Sequence, residues 1–164
     1  METTPTKVVS DKITKLGYKN IIAIGGDGTI NEVVNGIFRQ NRFPTADISL
    51  AAITIGTGND WAKMFQIPND YAEAVRIIKE GNTFVQDVGK VYYYLGAEKK
   101  HRYFINAAGL GFDAMVTDNT NKSKAAGKSN TFSYLSNMIK SLYQYKGVEV
   151  KVKTSKREIH KGNL

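Results

Sequence analysis

Two glycines, an aspartate, a third glycine and a threonine separate an apolar run from an amphipathic run in the stretch AIGGDGTINEVVNG, residues 23–36. The apolar run, Ile21–Ile24, is typical of a buried parallel strand. The residues after the turn place their apolar side chains at helical spacing. Glycine at such a junction indicates either a positive φ or a partner that comes close to the backbone. The stretch therefore predicts an α/β chain with a ligand-binding turn.

A second strand and glycine turn repeat this arrangement further along the chain. Residues 48–56 predict a buried strand, and GTGND (56–60) follows it. Open α/β sheets bind ligands beyond the carboxyl ends of their strands, where helix N-termini favour phosphate. Two such turns favour a nucleotide-phosphate site over two unrelated turns. Helices are predicted over residues 7–16, 59–65 and 70–81.

The acidic residues of the two turns carry most of the chemical information. Thr29 and Glu32 form a capping-box pattern, which gives both a purely structural explanation. That explanation leaves Asp27 out, and a carboxylate beside phosphate is repulsive unless a divalent cation or a proton transfer intervenes. In the second turn, Asn59 or Asp60 capping the next helix is the corresponding structural alternative.

From residue 82 onward the pattern becomes rich in aromatic and β-branched residues, which is typical of β-hairpins. An amphipathic stretch near residue 135 predicts a helix that packs in the core, with insertion into a membrane as the alternative. The predicted elements are strands over 83–95, 101–109 and 148–154, a turn at 97–100, a helix over 129–147 with Phe132, Leu135, Ile139 and Leu142 on one face, and a returning strand over 155–164.

The formal charge of +8 is concentrated near one end of the sequence. Residues 1–120 hold 13 basic and 13 acidic side chains, whereas residues 121–164 hold 10 basic and 2 acidic ones. A basic segment of this kind can face nucleic acid, anionic lipid or water. We expect no nucleic-acid partner, and we keep contact of residues 121–164 with anionic phospholipid as the alternative to a solvated surface.

Composition excludes several other classes. The chain has no cysteine, so disulfides and thiolate metal sites are excluded. Its most apolar stretch, Ile48–Ile55, is too short to span a bilayer, and its first residues lack the apolar segment of a signal peptide. We therefore expect a soluble, cytoplasmic protein, with a peripheral position at the inner membrane face and oligomer formation left open.

Three further patterns predict no site of their own. GLGFDA (109–114) matches a dinucleotide fingerprint but lacks the acidic residue expected about twenty positions later. AAGKS (125–129) lacks the first glycine of a P-loop, since residue 122 is lysine. His101 and His160 lie in charged surroundings, and we expect both to be solvated rather than metal ligands.

Four motifs together carry a resemblance to a known family. GGDGTINEVVNG, ITIGTGNDWAKMFQIP, QDVG and FINAAGLGFDA occur in this order and spacing between residues 25 and 114. They resemble the catalytic domain of the diacylglycerol kinase family, in particular its bacterial soluble lipid kinases, which include sphingosine-kinase-like relatives. GGDGT alone is weak, because NAD kinases and phosphofructokinases carry similar motifs, but GTGND and GFDA make the resemblance specific.

The resemblance implies a fold and an activity. It implies an α/β, open parallel-sheet nucleotide-binding domain over 1–86, followed by part of a β-sandwich domain over 87–164. It also implies ATP- and Mg²⁺-dependent phosphorylation of a lipid hydroxyl at the membrane surface, most simply diacylglycerol to phosphatidic acid. The residues that it implies are Gly26, Asp27, Gly28, Thr29, Ile30, Asn31, Glu32 and Thr57 lining ATP, and Asp27, Asp60 and Asp87 around magnesium and its waters.

Two parts of the family pattern do not occur in these 164 residues. The family begins with a strand and an Asn-Pro-x-(Ser/Ala)-Gly turn, and it ends with a segment whose Asp-Gly-(Glu/Asp) motif supplies the proposed general base. We therefore expect a fragment truncated at both ends, with little or no activity, and we name no catalytic residue. The alternatives are an NAD kinase-like enzyme and a non-catalytic nucleotide- or membrane-binding remnant.

Overall fold

The computed structural model describes residues 5–56, 58–125, 139, 142, 143, 145, 147, 149–153 and 158–163 of the chain. The backbone separates into two compact units, residues 1–107 and 108–164. Helices occur together with a parallel strand pair and two antiparallel pairs, which confirms the predicted α/β class. No helix of the described residues is long and apolar enough to cross a membrane.

The first unit begins with alternating helices and strands. Its two parallel strands run in register from Asn20 opposite Ser49 to Gly25 opposite Thr54. The strands and helices predicted before residue 81 are confirmed. The elements of this unit are α1 (Pro5–Leu16), β1 (Asn20–Gly25), α2 (Asp27–Arg39), β2 (Ser49–Thr54), α3 (Asp60–Met64), α4 (Tyr71–Glu80), β3 (Gly89–Leu95) and β4 (Glu98–Phe104), with a 3-10 turn at Thr45–Asp47 between α2 and β2.

The core of the first unit forms where α2 packs against β1 and where α1 and α3 pack against α2. Ile13 of α1 and Ile30 of α2 are fully buried. Burying side chains of this size stabilises the fold by about 1.5–3 kcal/mol each. The other buried members of the cluster are Ala23, Val33, Ile37, Ala52, Trp61 and Ala62. Because β1 and β2 end at the same edge of this core, both glycine turns emerge together.

Helix α4 begins and ends on standard capping residues. Asp70 precedes it, and its side chain accepts a hydrogen bond of 2.8 Å from the backbone N–H of Glu73. Gly81 follows the helix with a φ of +71°, a conformation that glycine adopts without strain. These two residues fix the ends of the helix predicted over 70–81.

Strands β3 and β4 form an antiparallel hairpin with a two-residue loop. Leu95 pairs with Glu98, so the loop consists of Gly96, with a φ of +61°, and Ala97. The prediction of a turn over 97–100 is wrong, because the loop needs a positive φ and glycine provides it. The first strand begins at Gly89 rather than at residue 83.

The hairpin is docked on α2 by a buried asparagine. The Asn35 side chain donates to the carbonyl oxygen of Tyr103 at 2.9 Å and accepts from its N–H at 3.0 Å. The ring of Phe38 lies 4.5 Å from that of Tyr103, and Glu32 forms an ion pair with Arg102. The hairpin thus belongs to the first compact unit, and the domain boundary predicted between residues 86 and 87 stays a prediction.

The second unit contains α5 (Phe112–Ala125) and the antiparallel pair β5 (Glu149–Lys153) and β6 (Glu158–Asn163). The two strands confirm the hairpin predicted for this region. Helix α5 was not among the predicted elements, and it begins after Gly111, where φ is +69°. Of the predicted helix over 129–147, Phe132 and Leu135 lie outside the described residues. Ile139 and Leu142 are 48% and 67% exposed, so the prediction that they pack in the core is wrong.

Candidate functional site at the glycine turns

The two glycine turns pack directly against each other. A side chain built on Gly56 would place its Cβ 2.8 Å from Cα of Gly26 and 2.6 Å from Oδ1 of Asn59. A Cβ built on Gly26 would lie 3.3 Å from Cα of Gly56. Gly25 is equally constrained, because a Cβ there would overlap the side chain of Thr29. Gly25 and Gly56 are therefore required for packing of the turns, whatever ligand the turns bind, and Gly26 packs closely against Gly56.

Gly28 differs, because a Cβ at this position would meet no atom of the described residues within 4 Å beyond the backbone of its own helix. It lies in the first turn of α2, whose N-cap residue Gly26 provides no side-chain hydrogen bond. The first helical bond runs from the N–H of Ile30 to the carbonyl oxygen of Gly26 at 3.1 Å. The preceding N–H groups have no acceptor within the helix, and they carry the positive end of its dipole. Thr29 lies inside the helix, so the capping-box explanation is wrong.

Asp27 crosses from the first turn to the second. Its Oδ2 accepts a hydrogen bond of 3.1 Å from the backbone N–H of Asp60, and its Oδ1 accepts one of 3.0 Å from that of Trp61. Asp27 therefore caps α3 from a distant part of the chain. The capping-box pattern left Asp27 without a structural role, and this long-range cap provides one.

Asn59 also differs from expectation. It precedes α3 with a φ of +55°, and its side chain makes no capping bond. Its Nδ2 instead donates to the carbonyl oxygen of Gly56 at 2.7 Å, which closes the second turn on itself. Its Oδ1 is buried and has no hydrogen-bond partner among the described residues. The predicted alternative, that Asn59 or Asp60 caps this helix, is wrong because Asp27 occupies that role.

Two of the three predicted magnesium-site aspartates lie close together. A Cβ built on Gly58 would be 3.2 Å from Oδ2 of Asp27 and 3.9 Å from Oδ2 of Asp60. Asp60 also forms an exposed ion pair of 3.4 Å with Lys63. Asp87 is exposed on the segment before β3, and the described residues contain no group of three or more His, Cys, Asp or Glu side chains able to hold a metal ion. The network of three aspartates stays a prediction.

The remaining predicted ATP residues fall into different environments. The side chain of Ile30 is fully buried in the core, so only its backbone is available to a ligand. Asn31 is half-buried, and its carbonyl oxygen accepts a hydrogen bond from Asn35. Glu32 accepts a hydrogen bond from Thr6 in addition to its ion pair with Arg102. Thr57 lies outside the described residues.

An open cavity of about 240 Å³ adjoins the second turn at the carboxyl end of β2. This is the edge at which open α/β sheets bind their ligands. Its lining combines backbone at the turn with polar side chains from α3 and from the start of α4. The lining residues are Thr54, Ile55, Gly56, Gly58, Asn59, Lys63, Asn69 and Tyr71.

Sequence reasoning missed three residues that hold this region together. Asn35 docks the hairpin on α2, and the indole of Trp61 donates to the side chain of Gln86 at 3.0 Å. Such bonds join residues far apart in the chain, so no hydrophobic periodicity in the sequence predicts them. The only sequence indication is position, since Trp61 directly follows GTGND and Gln86 directly precedes Asp87 in QDVG.

Comparison with known proteins agrees with the geometry of the turns. The diacylglycerol kinase catalytic domain family matches residues 2–91. The chain is 37% identical over 135 residues to diacylglycerol kinases of Staphylococcus epidermidis and Staphylococcus aureus. Each match covers 82% of this chain and 39% of the relative, so the chain spans about two fifths of the length of these curated relatives. Because the family match covers more than half of its residues, the chain belongs to the diacylglycerol kinase catalytic domain family.

Proposed function

We propose that this chain forms the nucleotide-binding part of an ATP- and Mg²⁺-dependent lipid kinase, with diacylglycerol as the acceptor. In the reaction, the lipid hydroxyl oxygen forms a bond to the γ-phosphorus while the bond to the ADP oxygen breaks, and the hydroxyl proton passes to a base. The products are phosphatidic acid and ADP. We assign the base to none of the described residues.

The observation that carries the proposal is the uncapped N-terminus of α2. Gly26 supplies no capping side chain, and Gly28 leaves open space beside the first N–H groups. Backbone donors at the positive end of a helix of 13 residues favour a phosphate group. No atom of the described residues gives Gly28 a steric reason to be glycine, and a ligand lying against the backbone supplies one.

The carboxylates near Gly58 fit a magnesium ion that arrives with the nucleotide. Mg²⁺ in kinases is held by one or two carboxylates together with phosphate oxygens and water. Asp27 and Asp60 would provide those carboxylates, and Asp87 would contribute through water. The ion, when bound, neutralises charge on the phosphates. Asp27 holds the second turn in place by accepting from the N–H groups of Asp60 and Trp61. The two carboxylates also make this region negative, and without the ion that charge would repel a triphosphate.

Thermal unfolding of the 164-residue chain tests the nucleotide site. A hundredfold excess of ATP over its Kd stabilises the folded state by about 2.7 kcal/mol. For a chain of this size we expect Mg²⁺ with ATP to raise Tm by roughly 5–10 °C. Replacing Mg²⁺ by EDTA should reduce this rise, and its absence under all conditions would contradict the proposal.

Two leucine variants provide the matched comparison. Gly28→Leu places a side chain over the N-terminus of α2, where no side chain of the described residues lies within 4 Å, so it should remove the ATP-dependent rise in Tm. Lys12→Leu adds the same side chain to the exposed surface of α1 and should keep that rise. An equal response of the two variants to ATP would place the nucleotide elsewhere.

The acceptor is tested with ATP labelled on its γ-phosphate. The chain, Mg²⁺ and diacylglycerol in mixed micelles are compared with the same mixture containing NAD instead of lipid. Labelled phosphatidic acid supports the lipid kinase, and labelled NADP would contradict it in favour of an NAD kinase. If the chain binds ATP but transfers phosphate to neither acceptor, the nucleotide site is supported and kinase activity of this 164-residue chain is contradicted.

A further inference from the structure

Gln86 joins two distant segments of the first unit through its side-chain amide. Its Oε1 accepts a hydrogen bond of 3.0 Å from the indole Nε1 of Trp61, and its Nε2 donates one of 3.0 Å to the carbonyl oxygen of Ile105. Trp61 belongs to α3, directly after the second glycine turn. The amide therefore links that turn to the backbone that follows β4.

The chemistry of the two partners explains why an amide stands here. An indole N–H can only donate, and a backbone carbonyl can only accept. The residue between them must therefore accept at one end and donate at the other, as glutamine does. Glutamate would accept from Trp61 but could not donate to Ile105, and leucine could do neither. Because the indole only donates, it also fixes the orientation of the Gln86 amide.

Helix α3 needs support from outside itself. It has five residues, far fewer than an isolated helix needs to be stable in water. Trp61 receives support at two points, since its backbone N–H donates to Asp27 and its indole N–H donates to Gln86. Trp61 as a whole is only 6% exposed, and its ring centroid lies 5.1 Å from that of Phe65. The ring of Phe65 in turn lies 4.6 Å from that of Phe84.

We propose that Gln86 is a positioning residue of the nucleotide site. By holding the indole of Trp61, it keeps α3 in the place where Asp27 caps it, and so keeps the second glycine turn against the first. The inference rests on the proposed nucleotide site and goes beyond it, because Gln86 is neither one of the predicted ATP residues nor one of the three aspartates.

The experiment compares Gln86→Leu with a second glutamine that serves only as structure. Gln40 is 8% exposed, and its amide donates to the carbonyl oxygen of Phe43 and accepts from the N–H groups of Arg42 and Phe43. Gln40→Leu thus removes a similar set of hydrogen bonds from the loop after α2. Binding of Mg²⁺ with ATP is measured by calorimetry at a temperature at which circular dichroism shows every variant to be folded.

Gln86→Leu should raise the Kd for ATP by about fivefold to tenfold, the factor expected for loss of one or two buried hydrogen bonds. Gln40→Leu should lower Tm but keep the Kd within roughly twofold of the unmodified chain. Gln86→Glu keeps the acceptor for Trp61, so its Kd for ATP should lie between those of Gln86→Leu and Gln40→Leu. Trp61 is the single tryptophan of the chain, so its fluorescence emission should shift in Gln86→Leu and stay unchanged in Gln40→Leu.

A double-mutant cycle tests the route through Trp61. Trp61→Phe removes the indole donor, so adding Gln86→Leu to it should raise the Kd no further. A Gln86→Leu chain that binds ATP as tightly as the unmodified chain, with only a lower Tm, would overturn the inference. Additive losses in the cycle would overturn it as well. Failure of the unmodified chain to bind ATP would overturn the proposed function first, and the inference with it.

Discussion

The two glycine turns follow the two parallel strands in the same way, yet they treat the backbone donors of their helices differently. GGDGT leads into α2, which has 13 residues and no side-chain cap. GTGND leads into α3, which has five residues and whose N–H groups at Asp60 and Trp61 bond to Asp27. The first N–H groups of α2 could therefore donate to an anion, whereas the first N–H groups of α3 already donate to the Asp27 carboxylate.

This difference indicates that the two turns, which contact each other, would play different parts in the proposed site. A short helix cannot hold its own position, so the second turn depends on Asp27 and on the packing of Trp61. The first turn stands on a helix whose inner face lies in the core, and it can present its N–H groups without help. In the nucleotide site that we propose, the first turn therefore binds phosphate and the second turn forms the wall beside it.

The largest expected effect comes from Asp27→Ala. The substitution removes both acceptors that cap α3, and loss of a good cap costs up to about 2 kcal/mol of stability. Because α3 then loses its place, we expect the ATP-dependent rise in Tm to disappear as well. Thermal unfolding with and without ATP measures both effects in one experiment.

Asp27→Asn is the matched control for that substitution. Its single carbonyl oxygen can accept one of the two N–H bonds, so about half of the stability loss should return. An Asp27→Ala chain that unfolds at the same temperature as the unmodified chain would break the comparison, because α3 would then need no cap from the first turn.

A pair of alanine substitutions sharpens the comparison by separating packing from ligand contact. Gly56→Ala places a Cβ 2.8 Å from Cα of Gly26, so we expect a loss of roughly 1–2 kcal/mol from overpacking. The Cβ of Gly28→Ala meets no side chain in the described part of the chain within 4 Å, so the substitution should raise stability by about 0.5–1 kcal/mol while weakening the binding of ATP. Denaturant unfolding measures the first quantity and calorimetry the second. Equal stability changes in the two variants would refute the assigned roles.

The parts of the fold that sequence predicts are those with local signals. Ile21–Ile24 forms a continuous apolar run, and Gly25 and Gly81 mark the ends of a strand and a helix. Apolar periodicity and glycine therefore place the strands and helices of the first unit correctly. The same reasoning does not detect α5, because most of its own residues are polar and its few apolar residues show little helical periodicity.

The parts that sequence reasoning misses are side-chain bonds over long separations. Asp27 caps a helix that begins 33 residues later, and Asn35 bonds to a strand residue 68 positions away. Sequence patterns within a few residues predict that Thr29 and Asn59 cap their helices, but neither side chain does so. The location of the site follows from the glycines, but the division of roles within it follows only from the three-dimensional contacts.

Asp70→Ala should have a smaller effect than Asp27→Ala, and it tests the same capping chemistry away from the first turn. Asp70 caps α4 by accepting from the N–H of Glu73 at 2.8 Å, so its loss should cost about 1 kcal/mol. We expect the Kd for ATP to stay unchanged, because this cap holds no element of the phosphate-binding turn. If Asp70→Ala also loses affinity for ATP, lower stability of the fold would explain weaker binding in both variants. The inference that Asp27 acts by positioning α3 would then lose its support.

The smallest expected effect is a pH dependence that arises on α4. The guanidinium of Arg76 donates a hydrogen bond of 2.9 Å to Glu73, and this bond lowers the pKa of that carboxyl below its usual value. A carboxyl with a lowered pKa in the folded state stabilises the fold above its unfolded pKa, and that stability is lost as the pH falls through the folded pKa. Glu73→Gln should therefore lose slightly less stability than the unmodified chain between about pH 6 and pH 3. Urea unfolding at several pH values measures the difference. Both side chains are exposed, so the difference in stability between the two chains should be small and should fall further in high salt. A large difference would show that ion pairs on α4 contribute to stability as much as the contacts of the two turns do.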